Sequence, residues 1–272
     1  MKIIQITDTH FVAPGQRLYE LDPRARLEAC VADINARHGD ADLCVITGDL
    51  AHHGDLKAYA SLRECLGALQ VPLRLLIGNH DHRARFLQIF PETPVTAGGF
   101  VQSYWDTRAG RLLFLDTTQE GRHTGYYCGA RRQWLRQALH EAGGSPVYVF
   151  MHHPPFEIGL PSCDVLGIDN VDGIQTDLKA CQGLRHIFFG HIHRPVSGGW
   201  RGVPFTALRA TAHQTLLDFE AKQETHFCHE PPAYAVALLG ADQCTVHFHD
   251  YLDASPRVKV SAATLLLSRF LR

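Results

Sequence analysis

An α/β layered sandwich is the fold class that this sequence predicts, and three observations predict it. First, short apolar runs end in polar clusters: Lys2-Ile3-Ile4-Gln5-Ile6 before Thr7-Asp8-Thr9-His10, Asp42-Leu43-Cys44-Val45-Ile46 before Thr47-Gly48-Asp49, and Leu73 to Ile77 before Gly78-Asn79-His80-Asp81. Runs this short and this apolar suit buried strands. Second, helical stretches separate these three runs. The N-terminal part therefore reads β-α-β-α-β, and right-handed crossovers make its sheet parallel. Third, the pattern returns later, where Val147 to Phe150 runs into Met151-His152-His153-Pro154-Pro155 and His186 to Phe189 into Gly190-His191-Ile192-His193.

Taken in order, Pro23 to Arg37 places Leu27, Val31 and Ile34 at the spacing of an amphipathic helix, and a second helix is expected over Leu56 to Leu69. A short helix should hold Phe86 to Phe90 before the Pro91–Pro94 break. Phe100 to Asp106 and Arg111 to Asp116 read as strands paired around the Gly110 turn. Residues 130 to 142 form a helix with Trp134, Leu135 and Leu139 on one face. Beyond Val196, turns at Gly198-Gly199 and Gly202 alternate with strands at Phe205 to Leu208, Thr215 to Phe219, Tyr234 to Leu239 and Cys244 to His249. One domain over 1–272 is expected, with a protruding insert near 220–232, which carries His226 and His229. The C-terminal element, Ala262 to Leu271, is read as an apolar helix or strand.

With 45% hydrophobic and 20% charged residues among 272, the composition suits a soluble chain with a full core. A net charge of -2 gives no reason to expect long nucleic acid as a partner. The eight cysteines are scattered without a C-x-x-C pair, and several sit in apolar stretches, which suits reduced core thiols. Ile3 to Ile6 is too short for a signal-peptide core, and no run reaches the roughly 18 apolar residues of a membrane span. A cytoplasmic protein without a membrane partner is the expectation. The compositional anomaly is 18 histidines, many of them in the strand-end clusters.

Those clusters supply Asp8, His10, Asp49, Asn79, His152, His191 and His193. Singly, each has an ordinary explanation: a strand-end Asp is often a helix cap, and a lone His is more often hydrogen-bonded than metal-bound. Five strand ends all carrying such donors are not ordinary. Open α/β sheets place ligands outside the carboxyl ends of their strands. Imidazoles, carboxylates and one amide oxygen suit Mn, Fe, Co or Zn rather than an all-oxygen Ca or Mg cage. Seven donors exceed one tetrahedral ion and suit two ions sharing a bridge, an arrangement that polarises phosphoryl oxygens and acidifies water. No Walker A, G-x-S-x-G or dinucleotide fingerprint competes.

The order D-x-H, G-D, G-N-H-D, H-H-P-P and G-H-x-H, running from Asp8 to His193, resembles the calcineurin-like binuclear metallophosphoesterases. Thr7-Asp8-Thr9-His10, Leu18-Tyr19, Gly48-Asp49-Leu50 with Gly54 and Tyr59, Ala212-His213-Gln214 and Glu230-Pro231-Pro232-Ala233-Tyr234 are similar to the bacterial class III branch of cyclic-nucleotide and glycerophosphodiester phosphodiesterases. The resemblance implies a four-layer α/β/β/α sandwich, two mixed sheets flanked by helices. It implies two divalent or trivalent transition-metal ions (Mn, Fe, Zn or Co), one held by Asp8, His10 and His193, the other by Asn79, His152 and His191, with Asp49 bridging. It further implies in-line attack of a metal-bridging hydroxide on a small soluble phosphodiester, and a homodimer or higher homo-oligomer.

Around the metals, His80 is expected to hydrogen-bond a phosphoryl oxygen or protonate the leaving alkoxide; alternatively it orients Asp49 or Asp81. Asp81 is expected to orient His80. Tyr19 lines the substrate mouth or packs its own loop, and His213 reaches the site or is a satisfied buried histidine. Asn79 is counted with the substrate-binding residues as well as with the ligands. His52 and His53 are read as solvated, and His153 as hydrogen-bonded within its turn. A substrate base or headgroup could rest on Tyr19, Phe156, Tyr104 or Trp105. A phosphomonoesterase or protein phosphatase would use the same metals behind a differently shaped mouth. A silent scaffold would have no use for seven donors.

Overall fold

Two mixed sheets face each other, and helices cover their outer sides. The computed structural model describes residues 1–221, 224–240 and 242–261. In chain order the elements begin with β1 (Lys2–Ile6), α1 (Pro23–His38), β2 (Leu43–Thr47), α2 (Leu56–Leu66), β3 (Leu73–Leu76) and α3 (Arg83–Ile89). Next come β4 (Ser103–Thr107), β5 (Gly110–Phe114), α4 (Gly129–Glu141), β6 (Val147–Phe150), α5 (Pro161–Asp164), α6 (Val171–Lys179) and β7 (Leu184–Phe189). The remaining elements among the described residues are strands: β8 (Val196–Trp200), β9 (Val203–Ala207), β10 (Gln214–Thr215), β11 (Phe227–Cys228), β12 (Tyr234–Leu239) and β13 (Cys244–His249).

The first sheet has the order β13-β12-β1-β2-β3, and the second the order β4-β5-β6-β7-β9-β8. Parallel pairing joins β1 to β2 and β2 to β3, with Ile3 opposite Leu43 and Cys44 opposite Leu73, while β12 joins β1 antiparallel. Between the sheets lie Ile3, Val45 and Leu76 from one side and Leu112, Phe114, Phe150 and Phe188 from the other. The opposite faces of the same strands meet helices. Ile4, Cys44 and Ile46 pack on Leu27, Val31, Leu62 and Phe86, and Leu113, Val149 and Ile187 pack on Leu135, Ile174 and Leu178. Strands buried on both faces explain why their sequence is almost continuously apolar. The four-layer architecture is the one expected.

Local chemistry sets the helix ends. The Asp22 and Asp55 side chains accept from the N–H groups of Ala25 (3.1 Å) and Ala58 (2.9 Å), satisfying donors that a helix start leaves free. Helix α2 stops at Leu66 rather than Leu69, with Gly67 as its C-cap residue. Gly198-Gly199 is not a turn. Both lie inside β8, where a Cβ on Gly198 would sit 2.6 Å from the Phe205 ring, and the chain turns instead at Arg201-Gly202, both at positive φ. The strand expected over Thr215 to Phe219 shrinks to Gln214–Thr215, paired with Phe227–Cys228 as a separate two-stranded ribbon. Helix α6 was not expected; its sequence opens on Val171-Asp172-Gly173, with a glycine in its first turn. The tail at Ala262 to Leu271 lies outside the described residues. All eight cysteines are free thiols, and among the described residues no helix is long and apolar enough to cross a membrane.

Candidate active site

The carboxyl ends of β1, β2 and β3 in one sheet and of β6 and β7 in the other converge on one point. There the structure brings together all seven predicted donors. Asp8, His10, Asp49 and His193 place one ligand atom each within 4.8 Å of one another, all buried. Asp49 extends the group sideways: its Oδ1 lies 3.3 Å from His152 Nε2, while its Oδ2 lies 3.5 Å from His10 Nε2. Asn79 Oδ1 is 3.1 Å from His152 Nε2, and the His191 ring centroid is 5.1 Å from that of His152. Asp49 therefore stands between two donor groups, which suits a bridging carboxylate.

Two positions apart, Asp8 and His10 would project to the same side of an extended strand. The structure corrects the reason for their convergence. Strand β1 ends at Ile6, and both residues are left-handed, at φ 53° and 44°. Asp49, His191 and His193 share that conformation, so among the described residues five of the eight non-glycine residues at positive φ are these candidate ligands. Such backbone costs on the order of 1–3 kcal/mol per residue and collects at functional sites. Here it is fixed by ties across the sheet ends: Asp8 N–H donates to the Gly48 carbonyl and His10 N–H to that of Asp49, while His191 N–H donates to the Asp8 carboxylate at 3.1 Å.

The imidazoles are aimed by their far nitrogens. His152 Nδ1 donates to the Thr47 carbonyl and His193 Nδ1 to the His213 carbonyl, both at 2.8 Å, so each turns Nε2 toward the carboxylates. Metal-bound histidines are held in this way. Burial opposes charge on His152, yet the Asp49 carboxylate overcomes it and pushes the ring up to about 9. Burial, with His152 as a second cause, pushes His191 down to about 3. Burial also holds His10 well below the usual imidazole range. Two buried carboxylates among ring nitrogens that converge on them, His10 Nε2 and His193 Nε2 being 3.0 Å apart, form a pocket for cations. The residues present fit two borderline transition-metal ions by donor type and by arrangement.

His52 is not solvated: its Nδ1 lies 3.1 Å from His10 Nδ1, and its ring stacks on that of His80 with centroids 4.8 Å apart. His52 thus aims His10 as a backbone carbonyl aims His152. Burial, then the neighbouring His80, lowers His52 to about 4. His80 donates from Nδ1 to the His52 carbonyl at 2.8 Å, and its ring borders the cleft in front of the donors. Asp81 does not orient that ring. Its buried carboxylate accepts from the N–H groups of Gly78, Leu50 and Ala51 and from the Tyr59 hydroxyl, tying the loops after β2 and β3 together. His153 bonds outside its own turn, to Thr117 Oγ1 and to the carbonyl of His123, which occupies both ring nitrogens. His123, which sequence reasoning missed, accepts from Asn79 Nδ2 at 3.1 Å and so fixes which way the Asn79 oxygen points.

A cleft of about 290 Å³ opens in front of the donors. Tyr19, His80, His123 and His213 border it, with Ser162, Cys163 and Leu166 on another wall. Of the aromatic residues expected to support a base or headgroup, Tyr19 lines this cleft; Phe156 packs against Trp200 and Phe205, and Tyr104 and Trp105 lie on strand β4. His213 is buried 4.5 Å from the His193 ring, and burial lowers it strongly. One glycine is indispensable to the geometry. A Cβ on Gly78 would collide with the Asp49 carboxylate and come within 2.6 Å of His152 Nε2. Gly78→Ala is expected to displace Asp49 and reduce turnover by roughly 10²-fold or more, since misplacement by about 1 Å costs that much. Steady-state kinetics on the purified variant checks this.

Comparison with known proteins agrees with this geometry. Residues 1–195 match the calcineurin-like phosphoesterase family. The chain belongs to the calcineurin-like phosphoesterases. A probable cyclic nucleotide phosphodiesterase from Rhodopseudomonas palustris is 42% identical to this phosphoesterase, over 94% of each chain. A glycerophosphodiester phosphodiesterase from Enterobacter lignolyticus is 32% identical over 85% of this chain and 81% of its own. A 3′,5′-cyclic adenosine monophosphate phosphodiesterase from Pseudomonas aeruginosa is 31% identical over 71% and 69%. Among solved structures, a dimetal phosphatase from Danio rerio shares the fold with a TM-score of 0.70 at 14% identity, over 93% of this phosphoesterase and 96% of that chain.

Proposed function

We propose that this phosphoesterase is a metal-dependent phosphodiesterase acting on a small soluble phosphodiester. The observation that carries the reading is the meeting, at the floor of one cleft, of two donor groups on either side of Asp49. Asp8, His10 and His193 would hold one transition-metal ion and Asn79, His152 and His191 the other. Ions bound there supply Lewis-acid polarisation of phosphoryl oxygens and the acidification of a water nucleophile.

The chain's own residues do the rest. Asp49 sets the spacing of the two groups, and His52 and His123 hold His10 and Asn79 in their orientations. His80 keeps Nδ1 on the His52 carbonyl, which leaves Nε2 for a phosphoryl oxygen or for the leaving oxygen, to which it can deliver a proton. Asp8, His10, Asp49, His152 and His193 are buried, and these surroundings strengthen the contacts among them. Support for a diester rather than a monoester comes from the relatives named above as phosphodiesterases.

The test is turnover of chelator-stripped, Mn-reloaded protein on bis(p-nitrophenyl) phosphate and p-nitrophenyl phosphate in parallel. Diester cleavage should be at least about 10-fold faster, the equivalent of ~1.4 kcal/mol in the barrier. Faster monoester cleavage would establish a phosphomonoesterase instead.

A further inference from the structure

Among the residues lining the cleft, Phe227 has no part in holding a metal or moving a proton. It sits on the short ribbon of β10 and β11 and is 46% exposed, beside Tyr19 at 45%. Their ring centroids are 5.1 Å apart with planes tilted by 41°. Both rings also pack on His213, at 4.3 and 4.8 Å, and Phe227 lies 6.5 Å from His193 with the planes only 25° apart. The two aromatics thus form one continuous apolar surface running from the donor groups to the cleft mouth. Two large rings left open to water at a polar site mark a place where a ligand covers them.

The surface is held in place rather than draped. Tyr19 stands at φ 47°, and its carbonyl accepts from His229 Nε2 at 2.8 Å, which ties the Tyr19 loop to the segment after β11. Leu216 N–H donates to the His226 carbonyl at 2.7 Å, closing the ribbon. Arg194 anchors the ribbon's root through the Thr215 carbonyl and Glu230. Arg194 directly follows His193, so the ribbon is fixed to the same loop as a candidate ligand. Among the described residues no lysine or arginine lines this cleft, and its one carboxylate, Asp49, lies among the candidate metal ligands.

We propose that Phe227, with Tyr19 beside it, is a shelf on which a planar ring of the substrate stacks, and that Phe227 determines specificity for base-bearing phosphodiesters over glycerophosphodiesters. The inference rests on the phosphodiesterase reading and narrows it. The two rings touch each other instead of standing apart as the opposed walls of a cage, which suits a flat ring better than a trimethylammonium group. Thr215, Thr225 and Ser162 line the same cleft and offer hydroxyls to a sugar.

The test compares kcat/KM of the metal-loaded wild type, Phe227→Ala and Phe227→Tyr on 3′,5′-cyclic AMP and on glycerophosphocholine. Removing a stacking side chain should lower the ratio of cyclic AMP to glycerophosphocholine by about 10-fold, mostly through KM, and tyrosine should restore it. Metal content, measured on each variant, should stay at the wild-type value. A ratio that is unchanged, or that rises because glycerophosphocholine suffers more, overturns the shelf. Calorimetric binding of AMP and of glycerol 3-phosphate is measured alongside and needs no turnover. If the wild type cleaves neither diester, the phosphodiesterase reading fails, while loss of AMP binding in Phe227→Ala would still support the shelf. Equal binding of AMP to wild type and Phe227→Ala would overturn it.

Discussion

Asn79→Ala and His152→Ala are each expected to lower phosphodiester turnover by on the order of 10³-fold or more, beyond the 10–100-fold usual for groups that only orient ligands. Both side chains meet at one point, Asn79 Oδ1 and His152 Nε2 lying 3.1 Å apart beside Asp49. Removing either takes away a donor that no neighbour replaces: His153, the adjacent imidazole, has both nitrogens committed to Thr117 and His123. The folded state should survive. Asn79 is half-buried at the end of a strand whose core contacts come from Leu75, Leu76 and Ile77, and these are untouched. Far-ultraviolet circular dichroism should therefore match the wild type while metal content falls by one ion per chain. Full activity in either variant would contradict the assignment.

Asp81→Ala is expected to act on stability first. The carboxylate satisfies three backbone N–H groups and the Tyr59 hydroxyl, all at 2.8–3.0 Å and all buried. Deleting it leaves these donors without a partner, at a cost of about 3–5 kcal/mol. That is a large share of the 5–15 kcal/mol by which domains are usually stable. At roughly 2–4 °C per kcal/mol for a chain near this size, thermal unfolding should shift down by about 10 °C. Asp81→Asn keeps one acceptor and should lose less. Calorimetric scans of both variants measure this, and an unchanged midpoint for Asp81→Ala would refute the tie between the two loops.

The seven donors were legible because each follows an apolar strand, and a polar residue at such a position is conspicuous. The sandwich was legible for the same reason: Ile3-Ile4 and Val45-Ile46 are apolar on successive residues, as strands covered on both faces must be. What was hidden depends on backbone that no periodicity encodes. Left-handed Asp8, His10, Asp49, His191 and His193 aim side chains in ways an extended reading cannot give. His52 reads as solvated and His123 is passed over because loop histidines carry no spacing signal; only their contacts with His10 and Asn79 reveal their part. Gly198-Gly199 reads as a turn unless the Phe205 ring lying across β8 is known. Tyr59 offered a real clue, since its place in the resemblance is explained by its bond to Asp81.

The central claim is that two metal sites share Asp49. Anomalous scattering from crystals of the Mn-loaded protein tests it most directly. Two peaks are expected, one among Asp8, His10 and His193 and the other among Asn79, His152 and His191, with Asp49 reaching both. They should be about 3.5–4 Å apart, as in other two-metal hydrolases. A single peak, or two peaks of which one lies away from Asp49, would contradict the account.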